Sequence, residues 1–162
     1  MGDRIYGCDD CQEVCPPNRS ASRAGSASTS SGSPWVPLLE LLTASDDELL
    51  ARHGRWYLAD RQPRWLRRNA LVALGNVGDP GSAEVRACLR RHLAGPDAVL
   101  RAHAVWAARR LGHDDLLAAI PDDADEGVRA ELDAAVTVRD PSARPLATGP
   151  VAVALGAVRG PR

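Results

Sequence analysis

The sequence predicts an all-α chain of stacked helical repeats, and three features carry that prediction. Apolar residues recur at three- and four-residue spacing through the middle of the chain, as on one face of a helix. Start and stop residues bracket each of these stretches. No run of β-branched residues argues for a strand.

The elements follow in order. Ser45, with Glu48 three residues on, has the form of a capping box, so a short helix begins near Asp46. Pro63 suits a first helical position and leads into RWLRRNALVALGNVG. There Trp65, Leu66, Leu71 and Leu74 share a stripe, and Gly75 and Gly78 mark the end. AEVRACLRRHLAG places Val85, Cys88, Leu89 and Leu93 on one face. Pro96 opens DAVLRAHAVWAARRLG, which closes at Gly112. A shorter helix, DDLLAAI, ends before Pro121, and a last one runs from near Asp125 to Val138.

Two of these helices resemble each other. WLRRNALVA (65–73) and VLRAHAVWA (99–107) match at a spacing of 34, pairing Leu66 with Leu100, Arg67 with Arg101, Ala70 with Ala104 and Ala73 with Ala107. VRAELDAAV, from Val128, is a weaker third copy. A helical unit of that length implies an α-solenoid of the HEAT type, in which small residues let helices stack closely. The alternative is an ordinary helical bundle.

The helical region occupies residues 35–138. Residues 1–17 hold three cysteines, 18–34 are a Ser/Ala/Gly linker unable to bury a core, and 139–162 are rich in Gly and Pro and read as a disordered tail. At 162 residues the chain allows one modest domain with tails. Its 20 basic residues, all arginine, nearly balance 21 acids, so global charge names no partner. A chain without Lys or Phe fits GC-rich codon usage. The N-terminus lacks the basic and apolar regions of a secretory signal, and no apolar run approaches the roughly 20 residues that span a bilayer. A cytoplasmic, reducing location is expected, which favours metal ligation over disulfides.

Cys8, Cys11 and Cys15 have the spacing Cys-x2-Cys-x3-Cys-Pro. They match the last three cysteines of the bacterial ferredoxin run, which holds [4Fe–4S] clusters and whose last cysteine serves a neighbouring cluster. Ile5 stands where the first would fall. The motif reads as a truncated ferredoxin-like one. Other readings stay open: a zinc knuckle using Cys8 and Cys11, or a redox dithiol, which lacks its βαβ context here. Cys88, on an apolar helix face, reads as a buried small hydrophobe. His53, His92, His103 and His113 show no ligand spacing and read as surface or packing residues.

GDRIYGCDDCQEVCP, LLELL, SDDELLARHG and RRNALVALGN together resemble the C-terminal part of bacterial epoxyqueuosine reductase, over about residues 2–112 with interruptions. The resemblance implies a family with an N-terminal cobalamin-binding catalytic domain, a ferredoxin-like domain with two [4Fe–4S] clusters and a C-terminal HEAT-like region. That family reduces epoxyqueuosine to queuosine at the wobble position of certain tRNAs. By position, Cys8 and Cys11 would bind one cluster and Cys15 the other. The remaining ligands and the cobalamin site would lie upstream of this chain, which is then a C-terminal fragment with no catalytic residue and no activity of its own. Cys15-Pro16-Pro17-Asn18 departs from the family's Cys-Pro-Trp-Asn. The implied partners are tRNA and, if the gene is split, a separate chain carrying the cobalamin domain; neither membrane nor DNA is expected. The alternative is a non-enzymatic HEAT-like binding module with a degenerate or zinc-binding cysteine knot.

Local charge bears on the tRNA. Between Ala51 and Gly112 twelve arginines face only four acids, and acids concentrate afterward in HDDLLAAIPDDADE. Such asymmetry suits a surface facing phosphates, and the arginine fork matches phosphate oxygens. Arg61, Arg64 and Arg68 are the first candidates for RNA contact, whereas Arg67 and Arg101 can instead join stacked helices. Trp56, Tyr57 and Trp65 flank the cluster and could stack on bases, though a core position is expected for Trp65.

Overall fold

Helix-forming signals of three to four residues' range account for most of the architecture. The computed structural model describes residues 5, 14–17, 35–54, 56, 58–118, 120, 123–135 and 152–154. Among these lie seven helices of five or more residues: α1 (Leu38–Thr43), α2 (Asp46–His53), α3 (Arg64–Val77), α4 (Ala83–Leu93), α5 (Ala98–Arg110), α6 (Asp114–Ala118) and α7 (Glu126–Asp133). The all-α expectation holds for the bulk of the described chain.

Caps set most of the boundaries. Ser45 and Glu48 form the expected capping box on α2. Ser82, Asp97 and Asp125 cap α4, α5 and α7 through their side chains. Pro63 occupies the N-cap of α3 rather than its first turn. Helix α5 ends in a Schellman turn: Gly112 takes φ 75°, and the amides of Gly112 and His113 donate to the carbonyls of Arg109 and Ala108.

The helices that carry the repeated pattern, α3 and α5, are each other's most extensive neighbours. Helix α1 packs on α3 and α7 on α5, giving a row α1–α3–α5–α7, while α4 packs on α5 and α1, and α6 on α5. Small residues make the α3–α5 seam tight. Ala70, Ala73, Ala104 and Ala107 are fully buried. Leu66, Leu71, Leu74, Val85, Leu89 and Val105 complete the core around them. Ile5, far away in sequence, is buried in the same core.

Four further expectations are corrected. Gly75 lies inside α3, not at its end, because helix stacking needs it there: a Cβ would sit 2.6 Å from the Trp106 ring. Trp65 is only half-buried and outside the core. Leu66 and Ala70 take the inward face of α3, while Trp56 and Trp106 pack against the core. Helix α7 stops at Asp133, short of Val138, where Ala134 turns extended. Finally, Trp35–Pro37 (β1) pairs antiparallel with Ala152–Ala154 (β2), with Val36 opposite Val153. A three-residue pairing is too short to show alternation, and Pro37, lacking an N–H, suits its end. Apart from β2, residues 136–162 lie outside the described ones, as does all of 18–34.

The seam predicts its own sensitivity. Gly75→Ala gains helix propensity but drives a methyl into Trp106, so it should destabilise the chain by about 1–3 kcal/mol in urea unfolding.

Candidate functional site

The cysteines come first. Cys8 and Cys11 lie outside the described residues. Cys15 is a free, half-buried thiol beside exposed Val14. Among the described residues no group of three or more His, Cys, Asp or Glu side chains could hold a metal ion. The donor set suits a [4Fe–4S] cluster in kind, since thiolates are its ligands, but three thiols fall short of the four corners of one cube.

The segment bearing them has one described foothold. Ile5 is buried against the helices, and its carbonyl accepts a 2.9 Å hydrogen bond from the Asn69 amide on α3. Sequence reading missed this contact, which joins residues 64 positions apart.

Cys88 is buried on α4, as expected, and burial pushes its thiol up to about 11. His92, one turn on, bonds the Cys88 carbonyl at 3.0 Å, and burial lowers its basicity. His113 is buried too, while His53 lies tilted against Trp56 with ring centroids 4.5 Å apart.

The three candidate arginines are not one cluster of open charge. Arg61 is exposed in a short 3-10 turn (Ala59–Arg61). Both it and Asp60 have φ 52°, a left-handed geometry that costs about 1–2 kcal/mol for each non-glycine residue. Its guanidinium reaches back to the Gly54 carbonyl at 3.4 Å. Arg64 pairs with Asp97 at 2.9 Å, its guanidinium 5.5 Å from the Trp65 ring centroid. Arg68 donates to His103 on α5 at 2.9 Å.

Other arginines serve the fold. Arg67 pairs with Asp46 and donates to the Ala44 carbonyl. Arg101 forks onto Asp123 at 2.6 and 2.9 Å and caps the carbonyls of Gly95 and Pro96. This is the interhelical alternative that the repeat allowed for both. Arg86 pairs with Asp115, and Arg109 donates to the Leu132 and Ala134 carbonyls at the end of α7. Arg90 and Arg91 are exposed near the end of α4. An open cleft of about 610 Å³ runs between the start of α3, the end of α4 and the start of α5, lined by Arg64, Arg67, Arg91, His92, Asp46 and Asp97. Two of its three guanidiniums are matched by its carboxylates. Much of the excess positive charge is therefore spent inside the chain.

The ion pairs make acid stability predictable. Burial raises the Asp97 carboxyl, but bonds from Arg64 and from the Leu100 and Val99 amides outweigh it and hold the group below its ordinary value. Arg101 does the same for Asp123. A carboxyl that is more acidic folded than unfolded stabilises fully at neutral pH, and loses this as pH falls through its folded value. Asp123→Asn should lower the neutral-pH melting temperature and flatten its acid decline; an unchanged curve would show that the Arg101 pair contributes nothing. Cys88 should resist alkylation in the native chain at mildly alkaline pH and react once it is denatured, while Cys15 reacts in both states.

No family model matches the chain, and no solved structure matches it. Curated relatives do. The chain is 37% identical over 115 residues to a Pseudomonas aeruginosa protein, covering 69% of this chain and 31% of the relative. It is 39% identical over 121 residues to one from Shewanella oneidensis, covering 72% and 30%. With one from Bacillus cereus the identity is 33% over 122 residues, covering 74% and 32%. All three are named epoxyqueuosine reductase. The chain spans about a third of the length of these relatives, and over that third it resembles bacterial epoxyqueuosine reductase.

Proposed function

We propose that the chain works as part of an epoxyqueuosine reductase, supplying iron–sulfur ligands and a helical surface for tRNA in the reduction of epoxyqueuosine to queuosine. The observation that carries this reading is the identity of 33–39% with relatives of that name over about 70% of the chain. In this reading Cys8, Cys11 and Cys15 are thiolate ligands to [4Fe–4S] clusters whose other ligands come from outside these residues. The half-buried, unpaired Cys15 thiol is consistent with that role. Bound there, the clusters would carry single electrons toward the reacting base. Cobalamin belongs to the rest of the family's architecture; no residue of this chain is assigned to it. Among the described residues no helix is long and apolar enough to cross a membrane, and a cytoplasmic site of action fits a tRNA substrate.

The helices are proposed to form a HEAT-like row. The row α1–α3–α5–α7 supports this, as do the buried alanines at matching positions of the repeat. Its basic segment, through Arg61, Arg64 and Arg68, would meet the RNA backbone. Arg61 is the most exposed of the three. Arg64 and Arg68 keep N–H donors beyond those used by Asp97, His103 and Asn69.

Two measurements test these assignments. After anaerobic reconstitution with iron and sulfide, the chain should show broad absorption at the blue end of the visible spectrum, lost in Cys8→Ala. Stoichiometric zinc without that band would favour the binding module instead. Changing Arg61, Arg64 and Arg68 together to Ala should weaken tRNA binding and lower the slope of log affinity against log salt, by roughly 1 for each arginine that meets a phosphate. Unchanged affinity and slope would remove these residues from the interface.

A further inference from the structure

The RRN segment of α3 carries a hydrogen-bond chain whose end is the cysteine-bearing segment. On α5, His103 Nδ1 lies 2.7 Å from the Val99 carbonyl. A carbonyl only accepts, so Nδ1 carries the hydrogen, and Nε2 is left to accept. Arg68 Nε donates to it at 2.9 Å. The same guanidinium donates through Nη1 to Asn69 Oδ1 at 3.0 Å. That contact fixes which end of the amide is oxygen, so Nδ2 faces the Ile5 carbonyl and donates at 2.9 Å. Each link dictates the donor or acceptor role of the next.

We propose that Asn69 is a positioning residue for the N-terminal cysteine segment, oriented by Arg68 and His103. Two anchors act at one place: the Ile5 side chain is 1% exposed within the helical core, and its carbonyl is held by Asn69. Cys8 follows three residues later, a tether that spans at most about 11 Å. Fixing Ile5 therefore limits where Cys8 can be offered as a ligand. Asn69 and His103 stand 34 apart, at matching positions of the two similar helices, and both reach toward the preceding element. Asn69 meets the cysteine segment as His103 meets α3.

The test is amide hydrogen exchange on the full chain, comparing peptides from residues 1–17 with peptides from α4 and α5. It needs no metal, so its outcome is independent of the iron–sulfur assignment. Asn69→Asp keeps the side-chain shape and the Arg68 contact, but turns an acceptor toward the Ile5 carbonyl. The N-terminal peptides should then exchange about tenfold faster or more, with α4 and α5 unchanged. His103→Leu, bonded to neither Asn69 nor Ile5, should loosen the same peptides by a smaller factor, which simple packing at Asn69 would not produce. If Asn69→Asp unfolds the helices, Asn69→Ser supplies the same comparison. Wild-type exchange of the N-terminal peptides in the Asn69 variants, or equal loosening of all peptides, would overturn the proposal.

Discussion

The close approach of α3 and α5 governs the rest of this molecule. Four buried alanines and Gly75 bring the two backbones together, and Trp106 closes over the glycine. Packing at this density tolerates little added volume, since interiors are filled like crystals. From that seam the other helices take their places: α1 and α7 flank it, and α4 and α6 cover α5. Polar, directional side chains also reach across it. Arg64 finds Asp97 and Arg68 finds His103 only because the helices lie this close.

The same geometry redistributes the charge. A segment with twelve arginines and four acids reads as a broad cationic face. In the folded chain Arg64, Arg67, Arg86 and Arg101 meet carboxylates, and Arg109 meets carbonyls. Some of those carboxylates, Asp115 and Asp123, come from the acidic stretch that follows the basic one. A guanidinium already forked onto a carboxylate has fewer donors left for phosphate. Arg61, on its left-handed turn, and the exposed Arg90 and Arg91 are freer of that constraint.

Legibility followed interaction range. The capping box, the glycine stop after α5 and the buried face of α4 were read correctly, because each depends on residues within a turn or two. Cys88 was placed rightly by its helical position. Trp65 was misplaced by one residue's rotation around α3, since apolar character cannot say which of two adjacent side chains faces inward. Gly75 was misread because a glycine that ends a helix and one that admits a neighbour look the same in sequence. Trp35–Pro37 and Ala152–Ala154 pair as short strands, too brief to leave a pattern.

What the sequence alone determined is the helical class, most helix boundaries, the alanines at matching positions of two helices, the cysteine spacing and the likeness to epoxyqueuosine reductase. These rest on local periodicity and on residues adjacent in the chain. What only the tertiary structure decided is the choice of partners: Asp97 for Arg64, Asp123 for Arg101, Trp106 for Gly75, and Asn69 for the carbonyl of Ile5. Those partners lie 22 to 64 positions apart, and side chains of equal local merit compete for each of them. The competition is settled by distance and direction across packed helices, which exist only once the chain has folded.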